Sequence, residues 1–155
     1  MSCGLALAVA LSLTDPAVAT AAARPAWTPG DPVTVAEEPL FLDIVARAGK
    51  LKTTAEGWAA MDLVAVLGGP DWTAFKADAL ALAERDMQGH LVLKERGVDG
   101  DLKCILRGIS EDIPVRLTAL ESAATPEERA SALSELVHLF DDNVAVITAP
   151  PQPEV

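Results

Sequence analysis

The chain has 155 residues, half of them apolar, a net charge of −11 and no tyrosine. That length makes one domain, large enough to bury roughly two-thirds of the surface its unfolded chain exposes without staples. So acidic a chain, with no basic cluster, repels phosphate backbones and anionic headgroups, which excludes nucleic-acid binding and anionic-membrane binding as main functions. The apolar half is carried by Ala, Leu and Val, and the strong helix formers among them bias the chain toward helix before any pattern is read.

Residues 1–19 read as an export signal. Cys3 to Leu13 is an unbroken weakly polar to apolar run, too short to span a bilayer. Asp15-Pro16 ends it, and Ala17-Val18-Ala19 offers a small-x-small cleavage site before Thr20. No Lys or Arg precedes the run; the first is Arg24. The expected compartment is therefore periplasmic or secreted, with no membrane insertion of the mature chain. Residues 20–33 hold Pro25, Pro29, Gly30 and Pro32 around Trp27, an extended lead-in rather than a helix.

A helical domain is expected over 34–148. Thr34-x-x-Glu37 forms a capping box before Leu40, Phe41, Ile44, Val45 and Ala48, with Gly49 as its stop. Thr53-x-x-Glu56 forms a second box, opening a nearly all-apolar helix from Gly57 to Leu67. Gly68-Gly69-Pro70 stops that one. Asp71 then caps a helix through Trp72, Phe75, Ala79, Leu82, Ala83 and Met87, continuing past Gly89 to Gly97. Asp99-Gly100 turns the chain and Asp101 caps the next helix.

That helix and its successor carry the clearest pattern. Leu102, Ile105, Leu106, Ile109, Ile113, Leu117 and Leu120 share one face, interrupted by Pro114, which predicts a kink or break near Gly108–Ile113. Thr125-Pro126-Glu127-Glu128 is a complete start signal: cap hydroxyl, proline at N1, and a glutamate at N3 that reaches back. Ala130, Leu133, Val137, Phe140, Val144 and Ile147 then form a seam. Residues 149–155 are a proline-rich tail. Apolar-striped helices joined by a short turn pack antiparallel and need further helices to cover them, so the expected fold is an all-α antiparallel bundle of four to five helices.

Candidate chemistry is sparse. The two histidines each have a carboxylate one helical turn away: Asp86 before His90, Asp141 and Asp142 after His138. Two such pairs on facing helices would hold a divalent, copper-like metal, with His90, His138, Asp86 and Asp142 as ligands. A non-covalent haem would take Met61 or Met87 with a histidine. In outline only, the expected molecule is similar to cytochrome c′-like and b-type bundles; the CxxCH attachment motif of the former is missing. Cys104 lies opposite Leu102, Ile109 and Leu120 on the helical wheel and shares its side with Gly108, Glu111 and Val115. Once the signal is removed it would be the one cysteine of an exported chain, suited to an intermolecular disulfide across a homodimer. A nucleophile set of Cys104 with His and Asp would have to be assembled from separate helices, and Glu111 and Asp112 fit a solvated surface better than acid–base work.

The expectation is thus an exported, acidic helical bundle acting as a non-catalytic binding or protein-interaction module, its partner another protein or a second copy. The alternatives are a periplasmic metal or haem carrier and, with the N-terminus uncleaved, an intracellular helical adaptor.

Overall fold

The computed structural model describes residues 35–97 and 101–149; the signal, the lead-in, the turn at Asp99-Gly100 and the tail beyond Ala149 lie outside them. Among the described residues there are five helices and no strand: α1 (Pro39–Trp58), α2 (Leu63–Leu67), α3 (Pro70–Glu95), α4 (Asp101–Ser122) and α5 (Pro126–Thr148). The four long ones form a ring in which α1 packs on α3, α3 on α4, α4 on α5 and α5 back on α1. The chain runs up and down through them. Asp43 pairs with Arg85 and Lys50 with Asp78, so α1 and α3 are antiparallel; Lys76 pairs with Glu121 and His90 meets Lys103, so α3 and α4 are too. Helices α3 and α5 face each other across the diagonal.

One rule builds all four. Core residues recur three and four apart: Phe41, Ile44, Ala48, Leu51, Ala55 and Trp58 on α1, and Phe75, Ala79, Leu82, Asp86, Gly89 and Leu93 on α3. On α4 the row is Leu102, Leu106, Ile109, Ile113, Leu117 and Leu120; on α5 it is Leu133, Leu136, Phe140, Asn143 and Ile147. Such rows fill the inside of a bundle of nearly parallel rods.

The starts and stops follow from end chemistry. At α5 the Thr125 hydroxyl accepts from Glu128 N at 3.1 Å, and the Glu128 carboxylate accepts from Thr125 N at 3.1 Å and Ala124 N at 2.8 Å. These backbone donors, Thr125 first, hold Glu128 below the usual glutamate range. Asp62 caps α2 by accepting from Val64 N at 3.0 Å. Gly69 is the N-cap and Pro70 takes the first position of α3, two residues earlier than a cap at Asp71 would give. Gly97 ends α3 in the left-handed region at φ +68°, a conformation that favours glycine.

Two expectations are corrected. Gly49 does not stop α1, and Thr53 opens no new helix: its hydroxyl donates to Gly49 O at 2.9 Å inside one continuous helix of 20 residues. A glycine in a helix costs about 1 kcal/mol, whereas burying Leu51 and Trp58 in phase with Ile44 and Ala48 returns several times that. Second, the apolar stretch Gly57–Leu67 is not a central helix. Trp58 ends α1, Asp62 caps a new five-residue helix, and none of that helix's residues is buried. On α4, the kink or break expected near Pro114 is not a break, since the helix runs on through the proline. The proline removes one bond, at about 3 kcal/mol, but Leu106, Ile109 and Ile113 before it and Leu117 and Leu120 after it are all buried in one phase. The α5 seam is also wider than expected. Leu136, Asn143 and Val146 are buried and Ala130 is exposed, because this helix covers two neighbours, α1 and α4, rather than one.

Candidate functional site

Among the described residues the core holds one buried polar pair. Asp86 on α3 and Asn143 on α5 are both 0% exposed, and Asn143 Nδ2 donates to Asp86 Oδ2 at 2.8 Å. The other oxygen of each, Asp86 Oδ1 and Asn143 Oδ1, is buried without a partner. Burial pushes the Asp86 carboxyl up to about 8, against the opposing pull of the Asn143 bond. The surroundings are hydrocarbon. A Cβ placed on Gly89, one turn along from Asp86, would meet Leu106 Cδ1 at 3.2 Å, Phe41 Cε1 at 3.3 Å and Ile44 Cδ1 at 3.5 Å.

The four residues expected to bind metal are not gathered. Asp86 turns inward to Asn143 rather than along α3 to His90. His90 is half-buried, and its Nδ1–H donates to the Lys103 carbonyl at 2.6 Å, fastening α3 to the first turn of α4. His138 and Asp142 are exposed, and Asp141 accepts from Lys52 Nζ at 2.6 Å. Among the described residues no group of three His, Cys, Asp or Glu side chains stands close enough to hold an ion. The methionines proposed for haem are also apart: Met61 is exposed in the connection before α2, and Met87 is half-buried on α3.

Other charged side chains serve as fasteners. Glu121 accepts from Trp72 Nε1 at 2.9 Å and from Lys76 Nζ at 2.8 Å, and these donors, Lys76 first, hold it below the usual glutamate range. Arg96 grips Glu38 through two bonds of 2.8 Å, joining the end of α3 to the start of α1. Arg116 pairs with Glu135 between α4 and α5.

The outer side of α4 is different. Cys104, Gly108, Glu111 and Val115 all face solvent, Val115 at 60% exposure. Nothing lies within 4 Å of a Cβ placed on Gly108, and Glu111 pairs only with Arg107 on its own helix, at 2.9 Å. Asp112 is exposed beside them. Cys104 is a free, exposed thiol, not a residue tucked beneath another helix.

Sequence reasoning missed Asn143 and misassigned Asp86. A signal for both was present: each occupies a core position in an otherwise apolar row, Asn143 between Phe140 and Ile147, Asp86 between Leu82 and Leu93.

No protein-family model matches the chain, and no curated protein or solved structure matches it either.

Proposed function

We propose that this chain is an exported, non-catalytic interaction module that works through the outside of its bundle, with a second copy of itself as the first partner. The observation that carries the reading is the contrast between used and unused side chains. Asp86, His90, Glu121 and Arg96 are each engaged in joining one helix to another. Among the described residues the row Cys104, Gly108, Glu111 and Val115 joins α4 to no other helix, and its small residues allow another backbone to come close. Two such rows brought together across a twofold axis would place the two Cys104 thiols on one seam, where oxidised glutathione could take their two electrons and leave a disulfide.

Sedimentation velocity and a non-reducing gel of wild type beside Cys104→Ser test the dimer. In oxidised glutathione the wild type should double in mass and return to monomer with reductant, while the variant stays monomeric. Identical behaviour of the two chains would end the reading. Export is checked separately by N-terminal sequencing of protein from its native host, where the mature chain should begin at Thr20; a chain still carrying Met1 or Ser2 contradicts it.

A further inference from the structure

We propose that Asp86 is held protonated in the folded protein and donates its hydroxyl to Asn143 Oδ1, so that acid and amide close a two-bond ring and one proton locks α3 to α5 across the core. The inference is independent of what the outer face binds. It starts from the two buried oxygens without partners, Asp86 Oδ1 and Asn143 Oδ1, which belong to the same pair. An ionised aspartate only accepts, so it leaves both stranded in hydrocarbon. A protonated one has a single donor to offer, and the other orphan is the acceptor it needs. One added proton therefore satisfies two buried atoms at once, each of which otherwise carries a desolvation penalty.

Among the described residues no counter-charge acts on Asp86. On α1, Asp43 and Arg47 bind each other at 2.9 Å at the rim, and Lys50 pairs with Asp78. On α3 itself Arg85 pairs with Asp43 and His90 with the Lys103 carbonyl. On α4, Lys103 and Arg107 lie outside the buried row, with Arg107 on Glu111, and the buried polar residue of that helix, Ser110, carries no charge. On α5, His138, Asp141 and Asp142 are exposed, with Asp141 on Lys52. Among the described residues a carboxylate in this layer has Asn143 as its polar partner, and in such surroundings it neutralises rather than stay charged.

The consequence is a stability that depends on pH in an unusual direction. The folded carboxyl titrates at about 8 and the unfolded one at its ordinary value of 3.8. Between those two values the folded chain keeps a proton that the unfolded chain has released, so raising the pH favours unfolding. Above the folded value both states are ionised and the trend levels off.

The test compares urea unfolding of the full-length wild type and Asp86→Asn, followed by circular dichroism from pH 5 to 9.5. Asparagine at 86 reproduces the ring without a titrating group: its Nδ2 donates to Asn143 Oδ1 and its Oδ1 accepts from Asn143 Nδ2. The ratio of wild-type to variant folding constants should fall close to tenfold per pH unit from about pH 5 to about 8 and then flatten. His90, His138 and Cys104 are common to both chains, so their protons cancel. A ratio that is flat or rises with pH overturns the proposal and would fit an ionised Asp86 served by a buried water. A second measurement needs no variant. Carboxyl carbon NMR of aspartate-labelled wild type should show one carboxyl in the protonated position at pH 6 that converts on raising the pH. Every aspartate in the ionised position at pH 6 overturns the proposal on its own.

Discussion

Two layers cross the α3–α5 diagonal, and they are made of opposite materials. Toward the end where α1 stops and α5 starts, Phe75 meets Phe140 edge-on at 6.1 Å, with Trp58 at 4.7 Å and Trp72 at 5.6 Å from Phe75. Further along α3, Asp86 meets Asn143. The aromatic layer gathers four of the six aromatic side chains of the whole chain and gains by excluding water, whatever the proton concentration. The polar layer gains little in net energy, since its bond replaces bonds to water; what it adds is a direction, because only one alignment of α3 on α5 lets acid and amide meet. The first layer supplies cohesion and the second supplies register.

The sharpest way to break this contrast is to remove an aromatic ring. Phe140 is fully buried, and Phe140→Ala should destabilise the fold by about 3–5 kcal/mol through lost transfer energy and an unfilled cavity. The loss should be the same at pH 6 and pH 9 when read by chemical denaturation. A loss that changes with pH would mean the two layers are coupled and that the aromatic end shares in the polar layer's titration.

The two layers were unequally legible in the sequence. The aromatic residues stand at core spacing in runs that already read as helix, and the cap at Thr125 fixed the start of α5, because those signals are local: a hydroxyl, a proline and a carboxylate within four residues. The polar pair is not local. Asp86 and Asn143 are 57 positions apart, and the nearer relation, Asp86 to His90 on the same helix, is the one that pattern reading reaches first. Geometry decides against it, since Asp86 and His90 sit four positions apart on a helix yet their side chains serve different neighbours, α5 and α4. Helix α1 was misread for the converse reason. Gly49 and Thr53 are strong local signals, but the row from Phe41 to Trp58 keeps its phase through both, and continuity of a buried row outweighs one glycine. The outer row of α4 was readable because Cys104, Gly108 and Val115 are simply off the buried phase.

Close approach is the second property that separates the layers, and glycine at 89 probes it. Its added methyl would sit 3.2 Å from Leu106 Cδ1 and 3.3 Å from Phe41 Cε1, two side chains that are themselves fully buried and have no solvent to move into. Gly89→Ala gains about 1 kcal/mol of helix propensity but overpacks at a cost of about 1–3 kcal/mol. The expected balance is a net loss of roughly 1 kcal/mol, measured by urea unfolding; a net gain would mean that α4 and α1 are free to move off the polar layer.

Gly49 is the matching control on α1, and it should shift stability the other way. It lies within the helix, half-exposed, and nothing stands within 4 Å of a Cβ placed on it. Gly49→Ala therefore removes backbone freedom from the unfolded chain without displacing anything in the folded one, and should stabilise by about 0.5–1 kcal/mol, a rise in melting temperature of a few degrees. The same substitution at two glycines of one bundle would then carry opposite signs, for a reason that is visible in the neighbours alone. If Gly49→Ala destabilised as Gly89→Ala does, the bend or stop that a glycine suggests at this point would have to be real, and α1 would be two helices whose rows only happen to keep one phase.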